Sequence, residues 1–173
     1  MSVTLSQASI DVIVQTLSGV IATLDKAISH WESSKFDQQD YLNARFFSDM
    51  YPFSKQIQVV ATWAENIPTI LTGSAISTPV DDEDSLESLK ARISKALAYV
   101  QTFDRAAIDE SADKIVTFPI GKNKRTMTGR DFVLHHALPH FFFHTTTAYD
   151  LLRHKGLPLV KRDFMGQIQG IIE

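Results

Sequence analysis

Apolar residues recur every three or four positions over four long stretches of this chain, a pattern typical of helices with one buried face. The second stretch begins near Pro52 and ends at Gly73, since proline suits the first turn of a helix and glycine its exit. Pro68 lies inside it and is expected to kink the helix or end it early. The first stretch covers residues 6–30, with apolar positions at Leu5, Ala8, Val12, Ile13, Leu17, Val20, Ile21, Leu24, Ala27 and Ile28.

The third stretch, residues 85–103, follows a polar linker and has a marked start. Asp84 and Glu87 have the spacing of a capping box, in which two side chains bond reciprocally to the first turn of a helix. One apolar stripe then predicts a third amphipathic helix. The stripe consists of Leu86, Leu89, Ile93, Ala96, Leu97 and Val100.

A short β-prone section precedes the fourth stretch. Residues 115–120 and 125–128 flank the turn sequence "GKNK" and predict a small hairpin. The last helix is expected to open at Thr128, with Asp131 three residues later as its capping partner, and to close at Gly156. Together these elements predict an all-α protein, a four-helix bundle with a β-hairpin inserted before the last helix. The length of 173 residues favours one domain over residues 1–173.

Composition excludes several classes of function. The formal net charge is −3, from 17 basic and 20 acidic residues. The sequence therefore gives no sign of the basic face that nucleic-acid binding requires. The absence of cysteine excludes disulfides, thiolate ligands and a cysteine nucleophile. No serine lies in a G-x-S-x-G turn, and no phosphate-binding glycine loop is present.

The sequence shows no pattern typical of a signal peptide or a membrane-spanning segment. The N-terminal sequence lacks the basic start and apolar run of a signal peptide. No apolar stretch approaches the ~20 residues needed to span a bilayer. We therefore expect a cytoplasmic protein that binds neither a membrane nor a nucleic acid.

The last predicted helix holds five of the six histidines of the chain. At ~100° per residue, His136, His140 and His144 fall within roughly 80° of one another, while His135 points nearly the opposite way. Pro139 is expected to change these angles, because a proline bends the helix axis. The same sector holds the apolar residues Val133, Ala137, Ala148 and Leu151, so the histidines face the core.

Two interpretations of this stripe stay open. Histidines four residues apart can chelate one divalent ion, and bundle interiors often carry such sites. Alternatively, neutral histidines simply hydrogen-bond to a helix across the core. His154, in the last turn, is expected to ease the helix dipole. The three phenylalanines at 141–143 cover three directions, which suits a central helix or, as a second expectation, a homodimer through this helix.

The segment "HFFFHTTTAYDLLRHKG" resembles the last helix of the DinB/YfiT-like bundles, a superfamily of candidate metalloenzymes. An H-x-x-x-H pair there precedes an arginine in an "LR…G" ending, and His140, His144, Leu152, Arg153 and Gly156 match that layout. With "LNARFFSDMYPFSKQIQ" and "KRDFMG", the chain is similar to one uncharacterised branch, a domain of unknown function. The resemblance implies a bundle, commonly dimeric, with an ion held by three histidines, two from the last helix and one from the second.

The chain departs from that pattern, because no histidine lies between His30 and His135. The polar candidates on the second helix are Asp49 and Gln56, seven residues apart and therefore expected on one face. With Asp49 as third ligand to His140 and His144, the set would suit zinc, iron or nickel. With Gln56 alone, the site would be metal-free, and both outcomes stay open.

Two functions follow as hypotheses. The first is an enzyme of unknown small-molecule substrate, a transferase or isomerase by resemblance, with His140 and His144 as metal ligands or general bases. Its pocket would be lined by His136, Gln56, Asp49 and Arg45, and an exposed ion pair is the alternative role for Arg45 and for Arg153. The second is a non-catalytic, small-ligand-binding or stress-associated dimeric bundle with a degenerate metal site.

Overall fold

A computed structural model describes residues 2–33, 37–76 and 78–171. Its four long helices form a closed bundle, because α1 and α3 each pack against both α4 and α7. The predicted all-α bundle and the hairpin before its last long helix are confirmed. In chain order the elements are α1 (Val12–Ser33), α2 (Gln38–Leu42), α3 (Phe53–Leu71), α4 (Leu86–Gln101), α5 (Arg105–Glu110), β1 (Ile115–Ile120), β2 (Asn123–Thr128), α6 (Gly129–Phe132), α7 (Leu138–His154) and α8 (Lys161–Met165).

The apolar stripes meet in one core between these helices. Side chains that the stripes place inward are removed from solvent, and burial of each large aliphatic or aromatic side chain contributes about 1.5–3 kcal/mol of driving force. The strands β1 and β2 pair in an antiparallel register, and β1 turns Phe118 inward over the core. Fully buried core residues include Ile13, Leu17, Leu24, Phe53, Val60, Ile67, Leu89, Ile93, Phe132 and Phe141.

Two helix boundaries differ from the sequence prediction. The N-cap of α4 is Ser85, whose hydroxyl accepts a hydrogen bond from the Ser88 amide at 3.1 Å, so the predicted cap at Asp84 is wrong. Ser88 returns the bond by accepting from the Ser85 amide at 3.0 Å, which completes a capping box one residue later than predicted. Pro68 does not end α3, because the helix continues for three more residues, to Leu71.

The last predicted helix is interrupted. Thr128 caps α6 as predicted, with its hydroxyl accepting from the Asp131 amide at 3.2 Å. A π-helical turn, Val133–Ala137, then joins α6 to α7. There the Leu138 amide donates to the Val133 carbonyl, five residues back, just before Pro139, which has no N–H to donate. The disturbance expected at Pro139 therefore takes the form of a π turn, and it contains His136.

The segment after α7 packs back on α1. A Cβ on Gly19 would lie 2.7 Å from the Phe164 carbonyl oxygen, so only glycine allows this approach. The side-chain Nε2 of Gln15 donates to the Met165 carbonyl at 3.0 Å, and Lys26 pairs with Asp163 at 2.7 Å. The tail containing α8, which the sequence pattern left unassigned, is therefore an integral part of the bundle surface.

A buried ion network fastens the linker before α4 to the bundle. Arg92 and Glu65 are each 8% exposed, and the guanidinium of Arg92 donates from both terminal nitrogens to the carboxylate of Glu65, with Nη2 at 3.0 Å from Oε2. Glu83, from the linker, lies 3.8 Å from Arg92 Nε and accepts a hydrogen bond from Gln58 Nε2 at 2.9 Å. The positive charge of one arginine thus compensates the negative charges of two carboxylates that lie on different segments.

The first helix is the longest and most apolar of the bundle. The helical span from Gln7 to Ser33, which includes a π-helical turn before α1, is 27 residues long, and its most apolar 18-residue window has a mean hydropathy of 1.3. By length and composition alone a helix of this kind could cross a membrane. Half of that window is buried against the rest of the protein.

Candidate functional site

The three regularly spaced histidines form a row of neighbouring rings along the π turn and α7, called here the histidine ladder (His136, His140 and His144). Ring centroids are 5.9 Å apart between His136 and His140, and 4.6 Å apart between His140 and His144. Because α7 packs against α3, the indole of Trp63 lies 4.4 Å from His140 and 5.2 Å from His136. The ladder therefore faces the bundle, as the stripe analysis predicted.

Gln56 fixes the orientation of the last ring. Its side chain is 1% exposed, and its Oε1 lies 2.6 Å from Nδ1 of His144. Its Nε2 donates to the Tyr51 carbonyl at 3.1 Å, so Oε1 is the accepting end of the amide. Nδ1 of His144 must then carry the proton, which leaves a lone pair on Nε2. The prediction that the buried amide finds its partner among the histidines is confirmed.

Aromatic side chains enclose the ladder at both ends. Phe118 of β1 and Phe132 of α6 lie 4.8 Å and 6.1 Å from the His136 ring. At the other end, Tyr51 and Phe143 lie 6.3 Å and 5.1 Å from the His144 ring. The first pair is fully buried, whereas Tyr51 is 51% and Phe143 57% exposed. The rings that flank the ladder are thus buried at its His136 end and half-exposed at its His144 end, whereas His144 itself is 7% exposed and His136 and His140 are half-buried.

Burial keeps the ladder neutral. It lowers the pKa of His144 from its ordinary value of 6.5 to about 4, and a charge on His140 would lower it further. Burial also lowers the pKa of His140 and of His136, and the neighbouring His136 adds to the effect on His140. A base with a pKa of about 4 is weak at neutral pH. The geometry therefore favours His144 as a lone-pair donor over a general base.

Two ladder nitrogens lack partners. Nε2 of His136 and Nε2 of His140 are buried and make no hydrogen bond within the described part of the chain. Buried polar atoms are nearly always paired, and an unpaired one costs about 1–3 kcal/mol. These two atoms are therefore the most unusual feature of the site.

Asp49 does not join the ladder. It is exposed in the turn before α3, because that helix begins at Phe53 with Pro52 as its N-cap, so the prediction of a common helix face with Gln56 is wrong. Within residues 2–33, 37–76 and 78–171, no three histidine or acidic side chains are grouped to hold a metal ion. The predicted ligand set of His140, His144 and Asp49 is therefore not assembled.

The remaining predicted residues lie outside the site. Arg45 is exposed and donates to the Ser48 carbonyl at 3.3 Å, and Arg153 is exposed and donates to the Leu157 carbonyl at 3.4 Å. His135 is exposed, with Nε2 4.0 Å from Asp131. Trp63 and Phe118 were not predicted as site residues. Trp63 could have been predicted, because it follows Gln56 by seven residues on the same helix face. Phe118 could not, because only the folding of the hairpin brings it next to His136.

Family comparison agrees with this architecture. The family model described as a domain of unknown function, DUF1993, matches residues 5–165. The chain belongs to the DUF1993 family. The crystal structure of a DinB family member protein from Shewanella denitrificans at 1.83 Å resolution is similar to it, with a TM-score of 0.88 and 29% identity over 98% of this chain and 96% of that one. No curated protein matches the chain. The DUF1993 chain thus has a DinB-like fold, which confirms the resemblance seen in its sequence.

Proposed function

We propose that this DUF1993 protein binds a small molecule at His144, the end of the ladder where the neighbouring rings of Tyr51 and Phe143 are exposed. The observation that carries the proposal is the chain of hydrogen bonds from the Tyr51 carbonyl through Gln56 to His144 Nδ1. This chain holds the ring in one tautomer and presents the Nε2 lone pair. A side chain fixed in this way is preorganised for a ligand, since no rotamer freedom is lost on binding.

The surroundings of His144 define the ligand chemistry. A neutral imidazole nitrogen accepts a hydrogen bond, so the ligand carries a hydroxyl, thiol or N–H group. The half-exposed rings of Tyr51 and Phe143 provide apolar walls beside it. Arg45 and Arg153 are exposed, and the hydrogen bond of each goes to a backbone carbonyl and not to the His144 ring. A neutral molecule with an apolar body fits these features best.

An enzyme of the transferase or isomerase type is the second candidate, favoured by the DinB-like fold and the His140, His144 pair in its last long helix. In that case the pair would hold an ion that activates a water or thiol. A stoichiometric ion in protein purified without a histidine tag, lost in a double His140→Ala, His144→Ala variant, would favour the enzyme. A cytoplasmic homodimer remains part of both proposals, with the exposed Phe143 of α7 as a candidate contact.

Phenol is a suitable probe of the binding proposal, because it combines one hydroxyl donor with an aromatic ring. We expect saturable perturbation of the His144 imidazole resonances on titration with phenol, followed by NMR. The His144→Phe, Gln56→Leu double variant keeps a filled core without the acceptor, and its affinity should fall by about tenfold or more, the worth of one good hydrogen bond.

The matched control is His135→Phe, which changes an exposed histidine on the opposite side and should bind phenol as the wild type does. Equal affinity in the double variant and the wild type, or no saturable binding to the wild type, would overturn the binding proposal.

A further inference from the structure

We propose that Nε2 of His136, Nε2 of His140 and the indole face of Trp63 form a binding site for a soft monovalent cation of the Cu(I) class. This site lies at the His136 end of the ladder and does not depend on a ligand at His144. It shares His140 with the ligand set that the DinB resemblance implies, but it uses His136 and Trp63 in place of His144 and a histidine of the second helix.

The donor atoms are the two buried nitrogens without partners. A neutral imidazole has one proton for two nitrogens, and an unpaired buried N–H is rarer in proteins than an under-satisfied acceptor. Because only Nε2 of each ring is buried and unpaired among the described residues, the proton belongs on Nδ1. Each Nε2 then carries a lone pair in an apolar environment, available to a metal ion.

Trp63 supplies the third component. Its ring centroid lies 4.4 Å from that of His140 and 5.2 Å from that of His136, so it flanks both donors. Cations within about 6 Å of an indole centroid are attracted to its face, most strongly where water is excluded. Phe118, 4.8 Å from His136 and 1% exposed, also packs against that ring.

The charge balance selects a monovalent ion. No group of three histidine or acidic side chains able to hold a metal exists in the described ranges, whereas zinc ordinarily takes at least three protein ligands. A doubly charged ion among apolar rings, without a carboxylate, would be poorly compensated. Sodium and potassium are hard ions of the kind that prefer oxygen ligands. Imidazole nitrogen is an ordinary ligand of copper. Cu(I) accepts linear coordination by two donors, so it needs no third protein ligand, and Ag(I) is its redox-stable probe.

The test is titration of the full chain, purified without a histidine tag, with silver nitrate in chloride-free buffer at pH 7. We expect one equivalent of Ag(I) to bind and to quench tryptophan fluorescence. His136→Phe and His140→Phe should each weaken that event by about 100-fold or more, because a single remaining imidazole cannot hold the ion. Trp63→Phe should weaken it by a smaller factor, because a cation is attracted less strongly to a phenyl than to an indole face.

Three controls make the result decisive. His135→Phe and the His144→Phe, Gln56→Leu double variant should retain the one-equivalent event, so loss of phenol binding and loss of Ag(I) binding are separable. Should a ladder variant fail to fold, ¹⁵N NMR of the wild type should show Ag(I)-induced shifts confined to His136 and His140. Unchanged Ag(I) binding in folded His136→Phe, shifts at other histidines only, or zinc binding with the same variant dependence would overturn the proposal.

Discussion

Replacing Arg92 with methionine is expected to lower the free energy of unfolding by about 3–5 kcal/mol, the usual cost of removing one partner from a buried ion pair. Arg92 is the shared counter-charge of Glu65 and Glu83, whose side chains are 10% and 9% exposed. Without it, two carboxylates remain in a poorly solvated site. The linker before α4 also loses one of its attachments, although the hydrogen bond from Gln58 to Glu83 and the ion pair between Lys55 and Asp81 remain. Urea unfolding at pH 7, followed by circular dichroism, measures the change.

The surface pair between Lys90 and Asp25 provides the control. Both side chains are well exposed, so Lys90→Met should change stability by less than about 1 kcal/mol. The double variant Glu65→Leu, Arg92→Met should recover much of the lost stability, since Glu83 keeps its hydrogen bond from Gln58. A loss in Arg92→Met no larger than that in Lys90→Met would show that the buried network does not stabilise the bundle.

Acidification from pH 7 to pH 4 is expected to remove about 3 kcal/mol of stability through His144 alone. Its pKa is lowered from 6.5 to about 4 in the folded protein. Between these two pH values the unfolded chain binds a proton at His144 that the folded chain does not bind. The contribution is complete above pH 6.5 and is lost as the pH falls from 6.5 towards 4. The magnitude follows from about 1.4 kcal/mol per unit of pKa. His136 and His140, with pKa values lowered in the same direction, add to the loss.

Carboxylates also titrate at low pH, so the informative quantity is the difference between two proteins. The His144→Phe, Gln56→Leu double variant should have a flatter dependence of unfolding free energy on pH between 6.5 and 4 than the wild type. His135→Phe, which alters an exposed histidine, should leave the slope unchanged. Parallel curves for the wild type and the double variant would mean that His144 titrates normally in the folded protein.

The bundle could be predicted from sequence because its information is local and periodic. The apolar stripes of α1, α3 and α4 identify the buried face of each helix. The hairpin was predicted from its turn residues, of which Gly121 lies in the turn, whereas Asn123 already pairs with Ile120, so β2 begins two residues earlier than predicted. Gln56 could be placed for the same reason, since a polar residue on an otherwise apolar stripe must meet a partner across the core.

The parts that could not be predicted depend on contacts between distant segments or on small shifts of register. Asp49 and Gln56 share a helical spacing, but the chain turns at Pro52, so the spacing has no meaning before that residue. The network of Glu65, Arg92 and Glu83 joins three segments, and no periodicity connects them. Likewise, His136 lies in the π turn before Pro139, whereas the sequence prediction placed it on a straight helix.

The central claim is that the ladder histidines are neutral, with lone pairs held inside the bundle. Long-range ¹H–¹⁵N correlation of the histidine side chains as a function of pH tests it most directly. We expect a neutral His144 with its proton on Nδ1 down to about pH 5, and His136 and His140 titrating below the ordinary value. If these three rings instead titrate near pH 6.5, the ladder is solvated and the central claim is wrong.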